Sequence, residues 1–423
     1  MDTIGVNSGE KKTIELCLNQ HSDSETFVTK IHVLTESKKN KYSEGRILIV
    51  GRHRVYIFKS GKPSHEIFFL DISEISSPST TTLSIKSKSG LLQMEGEAEQ
   101  IDQVISKIYA SYAATFPAVR DQLPILTIPE DRAPKLKSVV ESKLKLDENC
   151  GLFTNTYKAI CDHLDVTPLE DLIWHVNHLF VANEVTDFRL YECALRPERL
   201  KSDDARALLT TLMYNTYFTG LFVDKVKLDS HCTTAITNIL ENNKVLRKFT
   251  LKEPSLKSDV FLAFTSAFER NPSLKLSYID WSDNNVGDKT ILTFAANMPA
   301  FISGLSHLNL ANCGISSRSI SVLIKGLESH EKTCENLTYL NLSGNKIDAE
   351  GCKALGALFA KTSKLTELRL ASTSVDYRLL QKLESLQILD ISGTKIVTKD
   401  ARHTDLLRFL QLAPNLTKLN VSD

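Results

Sequence analysis

The sequence predicts a chain of two unlike folded parts, an all-β unit closed by one helix and an α/β solenoid, joined by a helical linker. Three observations predict it. The first third alternates short apolar runs with turn signals, and the second half repeats one apolar phrase. The stretch between them carries spaced prolines and then a helical pattern. At 423 residues and 42% hydrophobic, the chain has ample material for more than one core.

The first part is expected over 10–117. Alternating runs occur at Thr13 to Leu18, Phe27 to Leu34, Gly45 to Val50, Arg54 to Phe58, Glu66 to Leu70, Thr82 to Ile85 and Leu91 to Met94. Turn signals such as Gly51-Arg-His53, Ser60-Gly-Lys-Pro63 and Lys88-Ser-Gly90 separate several of them. One-face helical spacing follows at Ala98, Ile101, Val104, Ile105, Ile108 and Tyr112, ending near Phe116-Pro117. Seven short antiparallel strands closed by a C-terminal helix are the plan of a pleckstrin-homology (PH)-like β-barrel. The Trp usual in that helix is absent, which marks a non-standard member. Lys38, Lys39, Lys41, Arg46, Arg52 and Arg54 cluster around its early turns and are the candidate contacts for anionic lipid.

The linker and cap are expected over 118–183. Pro124, Pro129 and Pro134 keep its first part extended. Thr167-Pro-Leu-Glu170 reads as a capping box with Pro at the first helical position, opening a helix through Leu172, Ile173, Val176 and Leu179. That helix is placed over the exposed end of the solenoid, whose core needs a cap. His175 and His178 with Asp171 have ligand-like spacing but no further donor, so no metal is assigned.

The solenoid is expected over 184–423. Its phrase is clearest as Leu337-Thr-Tyr-Leu340-Asn-Leu342-Ser-Gly-Asn345-Lys-Ile347, with a near copy from Leu305 to Ile315. Both match the leucine-rich-repeat template L-x-x-L-x-L-x-x-N-x-L. Aligned on the first apolar position, anchors fall at Val185, Val223, Leu246, Leu276, Leu305, Leu337, Leu365, Leu386 and Leu416. Most spacings are about 28 to 32 residues, two are near 22 and one is about 38. The longer ones hold a strand and a full helix, the shorter only a 3₁₀ segment. Helices are expected after Ser202, Ser258, Ser316 or Ser317, and Asp348, each with apolar residues on one face. Such repeats resemble the ribonuclease-inhibitor type. Asn345 and Asn284 take the inward Asn position, and Cys313, Cys193, Thr373 and Thr394 replace it elsewhere.

Chemistry is scarce. The eight cysteines include no C-x-x-C, and Cys17, Cys150, Cys161, Cys232, Cys334 and Cys352 read as reduced thiols without ligand spacing. No opening apolar run resembles a signal peptide, and no span of about 18 apolar residues occurs. The Asn-x-Ser/Thr matches at Asn336, Asn341, Asn415 and Asn420 fall on repeat strands, where the template itself supplies them. Gly9-Glu-Lys-Lys-Thr13 lacks the upstream glycine of a phosphate loop, and no hydrolase, metalloprotease or kinase motif occurs. Formal net charge is zero, which argues against nucleic acid as partner. Neither enzyme activity nor a cofactor is expected.

Function is therefore read from the concave strand face. Template positions three, five and seven point outward and include Arg189, Tyr191, Lys225, Lys227, Lys248 and Lys252, interleaved with Asp187 and Asp229. Further along they become Tyr278, Asp280, His307, Asn309, Tyr339, Asn341 and Ser343, then Glu367, Arg369 and Asp390. The basic early end suits an acidic protein segment. Tyr278, His307 and Tyr339 share one template position in successive repeats, and this ring stripe is the candidate contact patch.

A PH-like unit, a helical linker and long helical repeats, in that order and size, resemble the CARMIL family, which links actin capping protein, the Arp2/3 complex and myosin I. The resemblance implies a cytoplasmic scaffold, peripheral at the plasma membrane and cytoskeleton-associated, that regulates actin filament assembly. It implies actin-regulatory protein partners for the concave face, weak contact with anionic lipids and no nucleic acid. Family members continue into a dimerisation domain and a capping-protein-binding tail. This sequence stops inside a strand phrase at Asp423, so that motif is assigned to no residue, and the chain reads as an amino-terminal piece of a longer protein in preference to a divergent short relative. The alternatives are a leucine-rich-repeat signalling or immune-type adaptor and a regulatory subunit of a GTPase pathway.

Overall fold

Alternation of apolar and polar residues builds the first unit into a sheet, and the repeat phrase builds the second into a parallel ladder. The computed structural model describes residues 7–36, 41–122, 125–129, 132, 149–193, 200–253, 255–396 and 402–422. The two units are Met1–Ala182 and Asn183–Asp423.

In the first unit, helix α1 (Ser8–Gln20) opens on Asn7, whose side chain accepts from the Glu10 N–H. Eight strands follow: β1 (Glu25–Glu36), β2 (Lys41–Gly51), β3 (Arg54–Lys59), β4 (Lys62–Phe68), β5 (Ile72–Ser76), β6 (Thr82–Ser87), β7 (Gly90–Glu95) and β8 (Ile125–Thr127). Their order in the sheet is β4-β3-β2-β1-β7-β6-β5-β8. β1 to β7 pair antiparallel, whereas β8 joins β5 in parallel. Helix α2 (Ala98–Thr115) buries Ile101, Val104, Ile105, Ile108 and Tyr112, the stripe its spacing predicted. A further helix, Asn149–Leu164, belongs to this unit. Its Thr156 hydroxyl donates to the Thr115 carbonyl at 2.6 Å.

Three sequence expectations change here. Thr13 to Leu18 is helix, because burial follows Ile14, Cys17 and Leu18 at i, i+3 and i+4 while Leu16 is 61% exposed. That face packs on Ile47, Ile49, Tyr56 and Phe58. β5 was not anticipated. The helix assigned to Thr167 starts at Glu170 with no side-chain cap, runs to Trp174 and continues as a π turn over His175–Phe180. Leu172, Ile173 and Val176 are buried as expected, but Leu179 is exposed.

The second unit strings nine parallel strands in one sheet: β9 (Asp187–Arg189), β10 (Gly220–Asp224), β11 (Lys248–Lys252), β12 (Tyr278–Asp280), β13 (His307–Asn309), β14 (Tyr339–Asn341), β15 (Glu367–Arg369), β17 (Ile388–Asp390) and β19 (Lys418–Asn420). Two short strands, β16 (Ser374–Val375) and β18 (Lys395–Ile396), pair separately. Helices return the chain between strands at Ser202–Tyr214, Ser230–Asn242, Ser258–Arg270, Asp288–Ala296, Ser317–Ser329 and Ala349–Phe359. The short repeat from Leu365 to Leu386 returns by a 3₁₀ turn, Tyr377–Lys382, as its length required. Ser316 and Asp348 cap their helices as anticipated. The helices assigned to Ser202 and Ser258 begin there with Lys201 and Lys257 at the cap.

Side-chain amides lace the coils together. Asn345 Nδ2 donates to the Leu310 and Leu342 carbonyls at 2.7 and 3.1 Å, and its Oδ1 accepts from the Cys313 and Ile315 N–H groups. Asn284 repeats this with the Leu251 and Trp281 carbonyls and the Glu253 N–H. The thiols of Cys193 and Cys313 donate to the Leu190 and Trp281 carbonyls, the role assigned to them. A second row, Asn215, Asn243 and Asn271, was not anticipated. Asn243 Nδ2 donates to the Leu212 and Asn215 carbonyls, and its Oδ1 accepts from the Val245 and Leu246 N–H groups. These bonds satisfy backbone groups that the tight turns would otherwise strand in the core. Between the rows lies an aromatic core in which Trp281 is surrounded by Phe249, Phe261, Phe268 and Phe294.

One repeat is reassigned. β10 takes its first apolar residue from Phe218, not Val223, because Gly220 and Phe222 pair with Lys248 and Thr250. The phrase Phe218-Thr-Gly-Leu221-Phe-Val223 restores the regular spacing, and the apparent long and short repeats on either side disappear.

Candidate functional site

Strand register sets two rows of side chains along the open face of the parallel sheet. The first row is Asp187, Gly220, Lys248, Tyr278, His307, Tyr339, Glu367, Ile388 and Lys418. The second is Arg189, Phe222, Thr250, Asp280, Asn309, Asn341, Arg369, Asp390 and Asn420. Parallel strands lie about 4.8 Å apart, so flat rings in one row meet face to face. They do so at the centre of the first row. Tyr278 and His307 stack with centroids 3.8 Å apart, and His307 and Tyr339 with centroids 3.9 Å apart.

The stack is half-buried. Burial pushes the His307 imidazole down to about 4, and the attraction of Asp280 offsets only part of this, so the ring is neutral at physiological pH. Burial likewise raises the Tyr278 and Tyr339 phenols, which stay protonated and able to donate. Asn341 Nδ2 donates to the Tyr339 hydroxyl oxygen at 3.3 Å. The centre of the face thus offers three neutral rings edged by amides.

Charge lies at either end and is largely paired. Lys248 Nζ meets Asp187 at 2.9 Å and Lys252 Nζ meets Asp280 at 3.2 Å. Arg369 Nε donates to Glu367 at 2.7 Å. Arg189 lies over the Phe222 ring at 4.4 Å and remains exposed. Gly220 opens the space these groups use, since a Cβ there would lie 2.3 Å from Asp187 Oδ1.

Of the expected protein contacts, Tyr278, His307 and Tyr339 form one patch, and Arg189 lies in the neighbouring row. Lys225 and Lys227 do not join them. With the register set by Phe218 they follow β10, where they line a cavity of about 430 Å³ with Tyr191, Leu228 and Asp229. There Lys225 Nζ lies 5.4 Å from the Tyr191 ring centre. Phe222 was missed as a face residue for the same reason.

The expected membrane contacts scatter. Lys38 and Lys39 lie outside the described residues, and Lys41 begins β2. Arg46 pairs with Glu44, which Lys59 also meets at 2.9 Å. Arg52 is exposed. Arg54 is withdrawn from the surface: its Nε donates to Asp162 at 2.6 Å and its side chain is 14% exposed. Among the described residues no helix is long and apolar enough to cross a membrane.

Repeated parallel strands and inward amide ladders, with a ring stack on the open face, define a leucine-rich-repeat protein. The chain belongs to the CARMIL family, whose leucine-rich-repeat domain profile matches residues 150–423. "Rho GTPase-activating protein gacW" of Dictyostelium discoideum is 29% identical over 99% of this chain and 37% of its own length. "Protein CARMIL" of the same organism is 27% identical over 99% of this chain and 40% of its own. Human "Capping protein, Arp2/3 and myosin-I linker protein 3" is 26% identical over 85% of this chain and 26% of its own. The chain therefore spans well under half the length of each of these three relatives.

Proposed function

We propose that the chain is a non-enzymatic interaction scaffold that regulates actin filament assembly beside the plasma membrane, holding a protein partner on its ring row. The observation that carries this reading is the continuous stack of Tyr278, His307 and Tyr339. Rigid, partly desolvated rings are the side chains on which protein interfaces concentrate binding energy. Family membership and the name of the human relative suggest the partner class: capping protein, the Arp2/3 complex or myosin I. The acidic partner segment would enter at Arg189, whose pairing with Glu192 is looser, at 3.7 Å, than those of Lys248 and Lys252 at 2.9 and 3.2 Å.

The same reading takes the first unit as a non-standard PH-like barrel, supported by seven antiparallel strands and α2. It takes the repeats as ribonuclease-inhibitor type, supported by full helices between most strands. Weak contact with anionic lipid would use Lys38, Lys39, Lys41 and Arg52, each adding about 1 kcal/mol near a charged surface. Residence is cytoplasmic, peripheral at the membrane and with the cytoskeleton.

A second reading has one observation in its favour. The relative aligned at 29% identity is described as a Rho GTPase-activating protein, so a Rho-family GTPase is the competing partner. Both are tested by presenting the immobilised chain to purified capping protein, Arp2/3 complex, a myosin-I tail and a nucleotide-loaded Rho GTPase. Saturable binding to any of the first three supports the actin reading. Binding to the GTPase alone replaces it.

A further inference from the structure

A cluster in the first unit, remote in sequence from the repeats, has the donor set of a metal site. Cys17 and His21 are four residues apart at the C-terminal end of α1, so both side chains leave the same face. β4 brings Glu66 against them. His21 Nε2 lies 2.9 Å from Glu66 Oε2, and Cys17 Sγ lies 3.9 Å from Glu66 Oε1. One sulfur, one nitrogen and one carboxylate oxygen thereby fall within 4.8 Å of one another.

The other side of the imidazole explains its orientation. His21 Nδ1 is 2.6 Å from Asp162 Oδ1, and Arg54 Nε holds the second Asp162 oxygen at 2.6 Å. A carboxylate on Nδ1 keeps the proton there and turns the Nε2 lone pair outward, the second-sphere arrangement that orients metal-bound histidines. In a neutral ring that lone pair then faces Glu66, and two electron-rich atoms at such a distance need a cation. A proton on Nε2 would serve the His21–Glu66 pair alone, with the Cys17 thiol packed in the core beside Glu66. A metal uses all three donors. Tetrahedral zinc, with bonds of about 2.0 to 2.3 Å, sets its donors roughly 3.3 to 3.8 Å apart, inside the 4.8 Å that encloses the three donor atoms.

We propose that Cys17, His21 and Glu66 bind a zinc-class divalent ion, with the fourth position open toward solvent beside the partly exposed Glu66. Binding replaces the thiol proton of Cys17, and any proton on His21 Nε2, with the metal. The ion fastens the end of α1 to β4. Through Asp162 it also braces the Asn149–Leu164 helix, which carries that carboxylate.

The test uses the full chain stripped with chelator and titrated with Co²⁺, then Zn²⁺. The expected result is a near-ultraviolet sulfur-to-cobalt charge-transfer band saturating at one ion per chain and lost on adding Zn²⁺. Zn²⁺, but not Mg²⁺, should raise the unfolding temperature. Cys17→Ser should abolish the band and weaken zinc binding at least about tenfold. Cys232→Ser, at a buried cysteine in the repeats, should change neither. Because Cys17→Ser can perturb packing, the unmodified chain decides. Absence of both the band and the zinc-dependent shift in the unmodified chain overturns the site. So does a band that survives in Cys17→Ser.

Discussion

Tyr278 and His307 lie ring on ring, 3.8 Å between centroids and 11° from parallel, although they are 29 positions apart in sequence (307 − 278). Tyr339 extends the stack on the far side. Each aromatic contact of this kind is worth about 0.5 to 1.5 kcal/mol beyond area burial. His307→Ala should therefore lower unfolding free energy by about 1 to 3 kcal/mol in urea, more than Tyr339→Ala, which removes one contact.

The same ring gives a pH signature. His307 has a folded value near 4 against about 6.5 unfolded, because burial resists the charged form. A depressed folded value means the unfolded chain takes the proton first as pH falls. Stability from this group is fully present above about pH 6.5 and declines down to about pH 4. The ceiling is about 3 kcal/mol, reduced by partial exposure of the ring. His307→Phe should flatten this part of the stability–pH curve measured by denaturation.

Asn345 bridges two coils with both ends of its amide, so replacing it strands buried carbonyl and N–H groups. Asn345→Ala should cost about 2 to 4 kcal/mol. Asn242→Ala, on an exposed helix surface, should cost less than about 0.5 kcal/mol. Equal effects in urea unfolding would show that the ladder is not what ties the coils together.

Gly304 and Gly314 separate backbone strain from collision. Both have positive φ, +70° and +65°. A Cβ at Gly304 would lie 2.4 Å from the Lys332 carbonyl oxygen, whereas at Gly314 its nearest neighbour is Asn285 Oδ1 at 3.7 Å. Gly314→Ala should cost about 1 kcal/mol from conformation alone. Gly304→Ala should cost at least about 2 kcal/mol, because backbone must move. Thermal unfolding of the two variants checks the ordering.

Asp162 anchors Arg54 and His21. Burial alone would raise its carboxyl, yet His53 close by at 3.3 Å and hydrogen bonds from Arg54 and His21 hold it at about 2. Asp162→Ala leaves a buried guanidinium unpaired and should destabilise the first unit by about 3 kcal/mol. Arg52→Ala should leave stability unchanged and weaken sedimentation with anionic vesicles, together with Lys38, Lys39 and Lys41.

Much of this is legible in the sequence. Leu337 to Ile347 fixed the strand, the inward Asn and the outward Tyr, because the template ties each position to one direction. The ring row followed by counting. The failures have local causes. Residues 218–228 satisfy the apolar phrase in two registers, and only pairing with β11 chooses Phe218 over Val223. Ile14, Leu16 and Leu18 alternate as a strand would, while Ile14, Cys17 and Leu18 fit a helix; treating Cys17 as apolar would have favoured the helix. The Arg54–Asp162 pair joins residues 108 positions apart, and nothing in either neighbourhood announces it.

The most direct test of the ring row as a binding face is the affinity of whichever protein partner the chain captures, measured against the Tyr278→Ala, Tyr339→Ala double variant. Loss of two central aromatic contacts of about 2 kcal/mol or more each predicts at least a hundredfold weaker binding, with the fold intact by circular dichroism. Unchanged affinity in a folded double variant would contradict the account and move the binding face elsewhere on the molecule.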